Sequence, residues 1–94
     1  MKPIKISAVI ITFNEGHNIG RCLDSLQGIA DEIVVVDSFS TDNTENICKK
    51  YTVHFSQKKF NGYIEQKNHA NQLATYNYIF SIDADEALSS ELRD

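Results

Sequence analysis

Apolar residues in this chain alternate between two spacings. Continuous runs rich in β-branched and aromatic residues predict strands, the first two buried on both faces, at 4–11, 32–37, 52–55 and 78–82. Between these runs, apolar residues recur every three or four positions, which is typical of helices that cover a sheet. The clearest helical stripe consists of Ile19, Cys22, Leu23 and Leu26.

Residues at the ends of the stripes predict where three helices begin and end. Asn14 and Glu15 suit the start of the first helix, and Gly28 suits its end. A capping box of Asp42 and Glu45 is predicted ahead of the second helix. The third helix is predicted over 62–74, and its inward-facing residues are Ala70, Leu73 and Ala74. A further helix is predicted over 88–93.

Strands that alternate with helices imply an α/β fold with right-handed crossovers, in which helices cover both faces of a parallel sheet. We predict a Rossmann-like sheet in the strand order 3-2-1-4. Ligands of such sheets bind beyond the carboxyl ends of the strands. Three of these ends are polar and are expected to converge: Thr12-Phe13-Asn14-Glu15, Asp37-Ser38 and Asp83-Ala84-Asp85-Glu86.

The composition fits one small domain, since the chain has 94 residues of which 41% are hydrophobic. The net charge of -4 argues against a nucleic-acid backbone as partner. Cys22 and Cys48 lack metal-ligand spacing and are expected to be buried free thiols. The apolar run 4–11 is too short to span a membrane and has no signal-peptide cleavage site, so a cytoplasmic location is expected.

Asp83 and Asp85 give the sharpest chemical indication. Alternate residues of an extended segment share a face, so both carboxylates can point into one site. Such oxygen ligands suit Mg²⁺ or Mn²⁺, which also takes oxygens from a substrate diphosphate and neutralises charge on a departing group. A helix N-cap with extra acids nearby is an equally good interpretation of these two residues alone.

Each of the other candidate residues also has a structural interpretation. Asp37 could accept hydrogen bonds from a base or a ribose, or it could form a turn. Phe13 could stack on a base or belong to the core, and Asn14 and Glu15 could simply cap a helix. Lys67 could meet a phosphate or lie exposed on its helix. The absence of Gly-x-Gly-x-x-Gly and P-loop patterns disfavours the nucleotide-binding folds that use them.

Four segments together resemble the family 2 glycosyltransferases of the GT-A fold. In the family's order, they are Ile-Ile-Thr-Phe-Asn-Glu (10–15), Val-Val-Val-Asp-Ser-Phe-Ser-Thr-Asp-Asn-Thr (34–44), Gln-Lys-Asn-His-Ala (66–70) and Ser-Ile-Asp-Ala-Asp-Glu (81–86). The resemblance implies that residues 1–94 are the nucleotide-sugar-binding part of a longer domain. It also implies transfer of a sugar, commonly from UDP, to a glycan or glycolipid acceptor, with inversion of the anomeric centre.

The resemblance implies roles for individual residues as well. The segment 12–15 matches the loop that packs around the uracil and ribose, and Asp37 matches an aspartate that bonds the base. Lys67 occupies the place of a basic residue near the nucleotide. Asp83 and Asp85 match the D-x-D motif that holds Mn²⁺ or Mg²⁺, with Asp85 as the direct ligand and Asp83 nearer the ribose and the metal.

The chain also departs from the family pattern. Ser38 stands where many members have a second acid, and Lys67 stands where many have arginine. Gln66-Lys67-Asn68 and the segment 81–86 look more like the branch that builds bacterial lipopolysaccharide core. The family's catalytic base lies beyond the D-x-D motif, so it is expected beyond Asp94, and this part alone is expected to bind the donor without transferring the sugar.

Two other functions stay open at this point: a Mg²⁺-dependent phosphotransfer domain and a non-catalytic nucleotide-binding module. Haloacid-dehalogenase-like phosphatases also place Asp-x-Asp at a strand end, but after the first strand and not the fourth. For the longer protein we expect attachment at the inner face of the membrane, without a transmembrane segment in residues 1–94. The sequence leaves open whether the chain forms a homo-oligomer through an open sheet edge.

Overall fold

The computed structural model describes residues 4–84. In this range, parallel strands form one sheet from β1 (Ile6–Thr12), β2 (Glu32–Asp37), β3 (His54–Gln57) and β4 (Tyr78–Ser81). The helices between them are α1 (Ile19–Leu26), α2 (Thr44–Cys48) and α3 (Tyr63–Leu73). The strand order is β3-β2-β1-β4, so the predicted α/β class and the order 3-2-1-4 are confirmed.

The helices divide between the two faces of the sheet. On one face, α1 and α2 pack over a core that includes Ile10, Leu23 and Val35. On the other face, α3 places Ala70 against Val34 and its neighbours. Because successive residues of a strand point to opposite faces, the adjacent residues Val34 and Val35 belong to different cores. The continuous apolar sequences of β1 and β2 therefore reflect burial on both sides.

The edge strand β4 differs from the central strands in burial. Its residues Tyr78, Ile79 and Phe80 are each at least 42% exposed. β4 pairs with β1 along Ile6 to Val9, and this pairing brings the segment that follows β4 to the carboxyl end of the sheet. The position of Asp83 is set in this way.

The first helix begins later than its sequence predicts. α1 starts at Ile19 with Asn18 as its N-cap, so Asn14 and Glu15 do not start the helix. Asn14 has a φ of 52°, in the left-handed region, which asparagine tolerates better than most residues. The carbonyl of Glu15 accepts hydrogen bonds from the N–H groups of Asn18 and Ile19 and closes a turn ahead of the helix.

Other element boundaries also differ in detail from the predictions. β3 lies two residues further along the chain than predicted, at 54–57. Leu73, predicted to face inward, is 41% exposed because it is the last residue of α3. The N-cap of α2 is Asn43 and not Asp42, so the predicted capping box does not form. The helix predicted over 88–93 lies outside the described residues.

Two other expectations are met by the structure. Cys22 and Cys48 are buried thiols that form no disulfide, and burial raises the pKa of the Cys48 thiol to about 11. Gly28 follows the C-cap of α1 with a φ of 80°, a conformation that glycine adopts without strain. No helix within residues 4–84 combines the length and the hydropathy that crossing a membrane requires.

Candidate functional site

A cleft of about 880 Å³ opens at the carboxyl edge of the sheet. Five of the residues predicted for the site lie in its walls: Thr12, Phe13, Glu15, Lys67 and Asp83. They come from the end of β1 and the loop after it, from α3 and from the segment after β4, so residues 12–15 meet residues that follow them by more than 50 positions in the sequence. The predicted convergence of polar strand ends is therefore present for these residues.

Two predicted site residues, Asn14 and Asp37, are not in the walls of this cleft. Asp37 is the last residue of β2 and Asn14 is in the loop after β1, and both lie behind the cleft in the network that supports it. Asp85 lies outside the described residues, so its predicted metal contact stays a prediction.

The structure adds residues to the cleft that the sequence did not single out. Phe60, Tyr63, Ile64 and Gln66 lie in its walls, beside Ser38. Phe60 and Tyr63 contact each other edge to face, with ring centroids 5.1 Å apart. Tyr63 and Gln66 are three residues apart on α3 and therefore share a helix face. That spacing, ahead of Lys67, is the sequence signal that could have identified them.

Asp37 is the centre of a buried hydrogen-bond network. Its side chain is fully buried, and Thr12 and Asp37 are paired across β1 and β2. Oδ1 accepts from the hydroxyl of Thr12 at 2.6 Å and from the hydroxyl of Ser40. Oδ2 accepts from the N–H of Ser40 at 2.8 Å and from the amide of Gln57 at 3.3 Å. The Asp37 carboxylate thus connects β1, β3 and the loop after β2 behind the cleft. Its predicted contact with a base or a ribose stays a prediction.

The loop after β2 contains a strained residue next to this network. Phe39 has a φ of 59°, which costs a residue with a bulky side chain about 1–2 kcal/mol. The two hydrogen bonds from Ser40 to Asp37 hold the chain on one side of Phe39. Its ring is 55% exposed. Asp37 therefore stabilises a loop conformation that the local sequence disfavours.

Side chains also join the loop after β1 to the loop after β2. Asn14 Oδ1 accepts from the N–H of Thr41 at 2.8 Å, and the N–H of Asn14 donates to the Ser40 hydroxyl at 2.7 Å. Asp42 accepts from the N–H groups of Gly16 and Thr44, each at 3.0 Å. The hydrogen bond from the Thr44 hydroxyl is the largest contribution that lowers the pKa of Asp42. The two loops therefore form one unit behind the cleft.

Asp83 and Lys67 are exposed at the cleft and bring opposite charges to it. Among residues 4–84, no three His, Cys, Asp or Glu side chains are grouped closely enough to hold a metal ion. An accessible carboxylate suits Mg²⁺ or Mn²⁺ when phosphate oxygens and water supply the other ligands, whereas it does not make a closed protein cage. Of the described residues, Asp83 has the exposed carboxylate that suits one ligand of a metal shared with a phosphorylated molecule.

Comparison with known sequences agrees with this architecture. Residues 7–92 match glycosyl transferase family 2. The chain belongs to this family. The resemblance inferred from the four sequence segments is confirmed, and the dehalogenase-like interpretation is set aside.

Known glycosyltransferases align with nearly the whole of this chain. An uncharacterised glycosyltransferase of Rickettsia conorii is 46% identical over 90 residues, which cover 96% of this chain and 32% of that protein. The lipopolysaccharide core biosynthesis glycosyltransferase LpsC of Rhizobium meliloti is 38% identical over 96 residues, 97% of this chain and 35% of that protein. The chain thus spans about a third of the length of these relatives.

A solved structure of the same GT-A architecture is TarS from S. aureus. Its portion 1–349 has a TM-score of 0.82 and 30% identity, covering 94% of this chain and 29% of that one. A complex of the same portion with UDP has a TM-score of 0.73 and 27% identity, covering 89% and 28%.

Proposed function

We propose that this chain binds the nucleoside diphosphate sugar of a metal-dependent, inverting glycosyltransferase, with UDP as the nucleotide. The cleft carries this proposal, because it gathers an aromatic ring (Phe13), a cation (Lys67) and a carboxylate (Asp83) at the carboxyl edge of a parallel sheet. The UDP complex of TarS supports the choice of nucleotide.

The three chemical parts of the donor suit different walls of the cleft. A base needs a flat apolar surface, and Phe13 is 58% exposed and Tyr63 70% exposed at the cleft. The diphosphate needs positive charge, which Lys67 supplies. Mn²⁺ or Mg²⁺ needs oxygen ligands, and in this proposal Asp83 and Asp85 supply them together with the diphosphate.

The proposed reaction is a single displacement. An acceptor hydroxyl forms a bond to the anomeric carbon while the bond from that carbon to the diphosphate oxygen breaks, which inverts the centre. The electron pair leaves with the nucleoside diphosphate, where Lys67 stabilises the growing negative charge. The metal ion would add a second positive charge at the same oxygens. The base that takes the acceptor's proton is proposed to lie beyond Asp94.

The acceptor is proposed to be a glycan or glycolipid of the bacterial cell envelope. Support comes from the relative LpsC, which is named for lipopolysaccharide core biosynthesis. Such an acceptor would bring the longer protein to the inner face of the membrane from the cytoplasmic side.

Calorimetric titration of the chain with UDP, with and without Mn²⁺, tests this function. We expect Mn²⁺ to strengthen UDP binding by about tenfold or more, since a cation held by Asp83 and Asp85 would neutralise the negative charge of the diphosphate. In Asp85→Ala the affinity should no longer depend on Mn²⁺. Glu45→Ala, which removes an acid from α2 outside the cleft, is the matched control and should behave like the wild type. Metal-supported binding that persists in Asp85→Ala would contradict the assignment of the metal ligands.

A further inference from the structure

The side chain of Gln66 is fully buried, and of its two polar atoms only the amide nitrogen has hydrogen-bond partners. Its amide nitrogen Nε2 donates to the Ser38 hydroxyl at 2.9 Å and to the backbone carbonyl of Lys58 at 3.3 Å. A backbone carbonyl can only accept hydrogen bonds, so the amide must present its NH₂ group to Lys58. This contact fixes which end of the amide is the acceptor.

The oxygen of the same amide has no partner within residues 4–84. Gln66 Oε1 is buried and accepts no hydrogen bond there. A buried acceptor that is left unpaired costs free energy, and native structures rarely keep one without a reason. Gln66 lines the same cleft as Lys67 and Asp83. A bound molecule with a hydrogen-bond donor at this position would satisfy it.

The chemistry of a nucleoside diphosphate limits where that donor can be. In UDP the diphosphate oxygens act as acceptors, so the donor belongs to the base or to the ribose. A UDP-sugar adds the hydroxyls of the transferred sugar, which are attached at the far end of the diphosphate from the base. The rings of Phe60 and Tyr63 line the cleft beside Gln66, and Tyr63 is on the same face of α3. Aromatic rings provide the stacking surface that a base uses. The surroundings of Gln66 therefore favour the base.

Asp37, the other acceptor considered for a base, is already engaged. Its two oxygens accept four hydrogen bonds from Thr12, Ser40 and Gln57, and its side chain is fully buried. Among the buried side-chain oxygens of the described residues that line the cleft, Gln66 Oε1 is the one without a donor.

We propose that Gln66 is a specificity-determining residue that recognises the nucleobase, with its Oε1 accepting a hydrogen bond from the ring N3–H of uracil. This inference rests on the proposed function and extends it to one contact. It gives the site a preference for a base that presents an N–H there over a base that presents a ring nitrogen lone pair, as cytosine does.

The test compares UDP with 3-methyl-UDP, in which a methyl group replaces the N3 hydrogen, by calorimetry in the presence of Mn²⁺. The wild-type chain should prefer UDP by about tenfold or more, the effect of losing one hydrogen bond to a buried acceptor. In Gln66→Met, which has a similar volume and no amide, the preference should fall to about twofold or less. Gln72→Met, an exposed substitution on the same helix, should keep the wild-type preference.

Several outcomes would overturn the inference. One is a preference for UDP over 3-methyl-UDP that is the same in Gln66→Met as in the wild type. Another is a loss of affinity in Gln66→Met that is equal for the two ligands, because it would show that Gln66 has a structural role only. A third ligand, 2′-deoxy-UDP, distinguishes the other donor: if Gln66→Met abolishes the discrimination against 2′-deoxy-UDP instead, the partner is a ribose hydroxyl and the base assignment is wrong.

A measurement on the wild type covers the case in which Gln66→Met does not fold. With ¹⁵N-labelled UDP, the imino proton at N3 should be protected from solvent exchange when bound, and an unprotected proton would overturn the proposal. Failure of this contact with UDP binding intact leaves the proposed function in place, whereas absence of any nucleotide binding refutes both.

Discussion

At the scale of single residues, Asp37 shows how one carboxyl group can serve a site without lining it. Its four hydrogen bonds come from β1, from β3 and from the loop after β2. One of its donors, the backbone N–H of Ser40, cannot reverse its polarity, whereas the hydroxyls of Thr12 and Ser40 and the side-chain amide of Gln57 can rotate. Asp37 is therefore a residue whose substitution affects stability and binding together.

We expect Asp37→Asn to lower the free energy of unfolding by about 1–3 kcal/mol, because an NH₂ group replaces an acceptor in a buried network. The loop 38–41 should loosen, and UDP should bind more weakly, while its response to Mn²⁺ persists because Asp37 is not one of the proposed metal ligands. Urea denaturation and calorimetry measure the two effects. Ser40→Ala, which removes one of the four donors, should give a smaller loss. If Asp37→Asn lost only its Mn²⁺ response, the separation of the Asp37 role from the metal site would be wrong.

At the scale of elements, polar side chains connect neighbouring elements at the carboxyl edge of the sheet and also at its amino edge. At the carboxyl edge, the loops after β1 and β2 are held together through Asn14 and Asp42. At the amino edge, Glu32 accepts from the Ser7 hydroxyl at 2.6 Å and from the N–H and hydroxyl of Thr75, both at 2.7 Å. Glu32 thereby connects β1, β2 and the segment that leads from α3 to β4.

The connection through Glu32 predicts a pH dependence of stability. Partial burial raises the pKa of Glu32, but the hydrogen bonds from Ser7 and Thr75 together lower it more, so it lies below the usual value of 4.5. A lowered carboxyl pKa contributes stability above the unfolded value, and that contribution is lost as pH falls through the folded value. We expect the wild type to lose stability to urea as the pH is lowered below about 4.5. Glu32→Gln should be less stable at neutral pH and should lose less on acidification.

Thr75→Val provides the matched comparison for Glu32. It keeps the carboxyl group and the backbone donor but removes the hydroxyl donor, so its acid dependence should fall between those of the wild type and Glu32→Gln. An acid dependence in Glu32→Gln equal to that of the wild type would show that other groups, such as Asp42, account for it.

At the scale of the whole molecule, the cleft gathers polar groups that the described part of the chain places at the carboxyl edge. In the proposed function, Lys67 and Asp83 serve the diphosphate and its metal, and the aromatic rings serve the base. A displacement also needs a base at the acceptor hydroxyl and a surface that holds the acceptor in line. Neither requirement is assigned to a residue of the cleft.

We therefore expect the 94-residue chain to bind UDP-sugars without transferring the sugar. Incubation with radiolabelled UDP-sugars, Mn²⁺ and a panel of acceptor glycolipids measures this, beside a longer protein that includes the chain. The longer protein should form labelled glycolipid, and the chain should give at most slow hydrolysis of the donor. Transfer by the chain at a comparable rate would place the base within it, and Glu15, Glu86 and Glu91 would be the residues to test.

The sequence by itself determined the kind and order of the elements. β1 and β2 are nearly continuous β-branched runs because a parallel strand covered on both faces buries most of its residues, and α1 has a helical stripe because it buries only one face. These patterns are local in the sequence, so the strands and helices can be predicted from them without knowledge of the fold. The acids that follow the fourth strand were found for the same reason, since an apolar run and the polar residues after it are adjacent in sequence.

The tertiary structure decided which polar residues support the cleft and which face it. Thr12 and Asp37 are 25 residues apart, and Asn14 and Thr41 are 27 apart, so only the register of β1 on β2 makes them hydrogen-bond partners. The orientation of the Gln66 amide likewise depends on tertiary structure, because its nitrogen donates to a Lys58 carbonyl and a Ser38 hydroxyl from two other parts of the fold. These two contacts leave its buried oxygen without a donor. A buried acceptor bonds to a donor that lies within about 3 Å of it, and tertiary packing, not spacing in the sequence, decides which donor is that close.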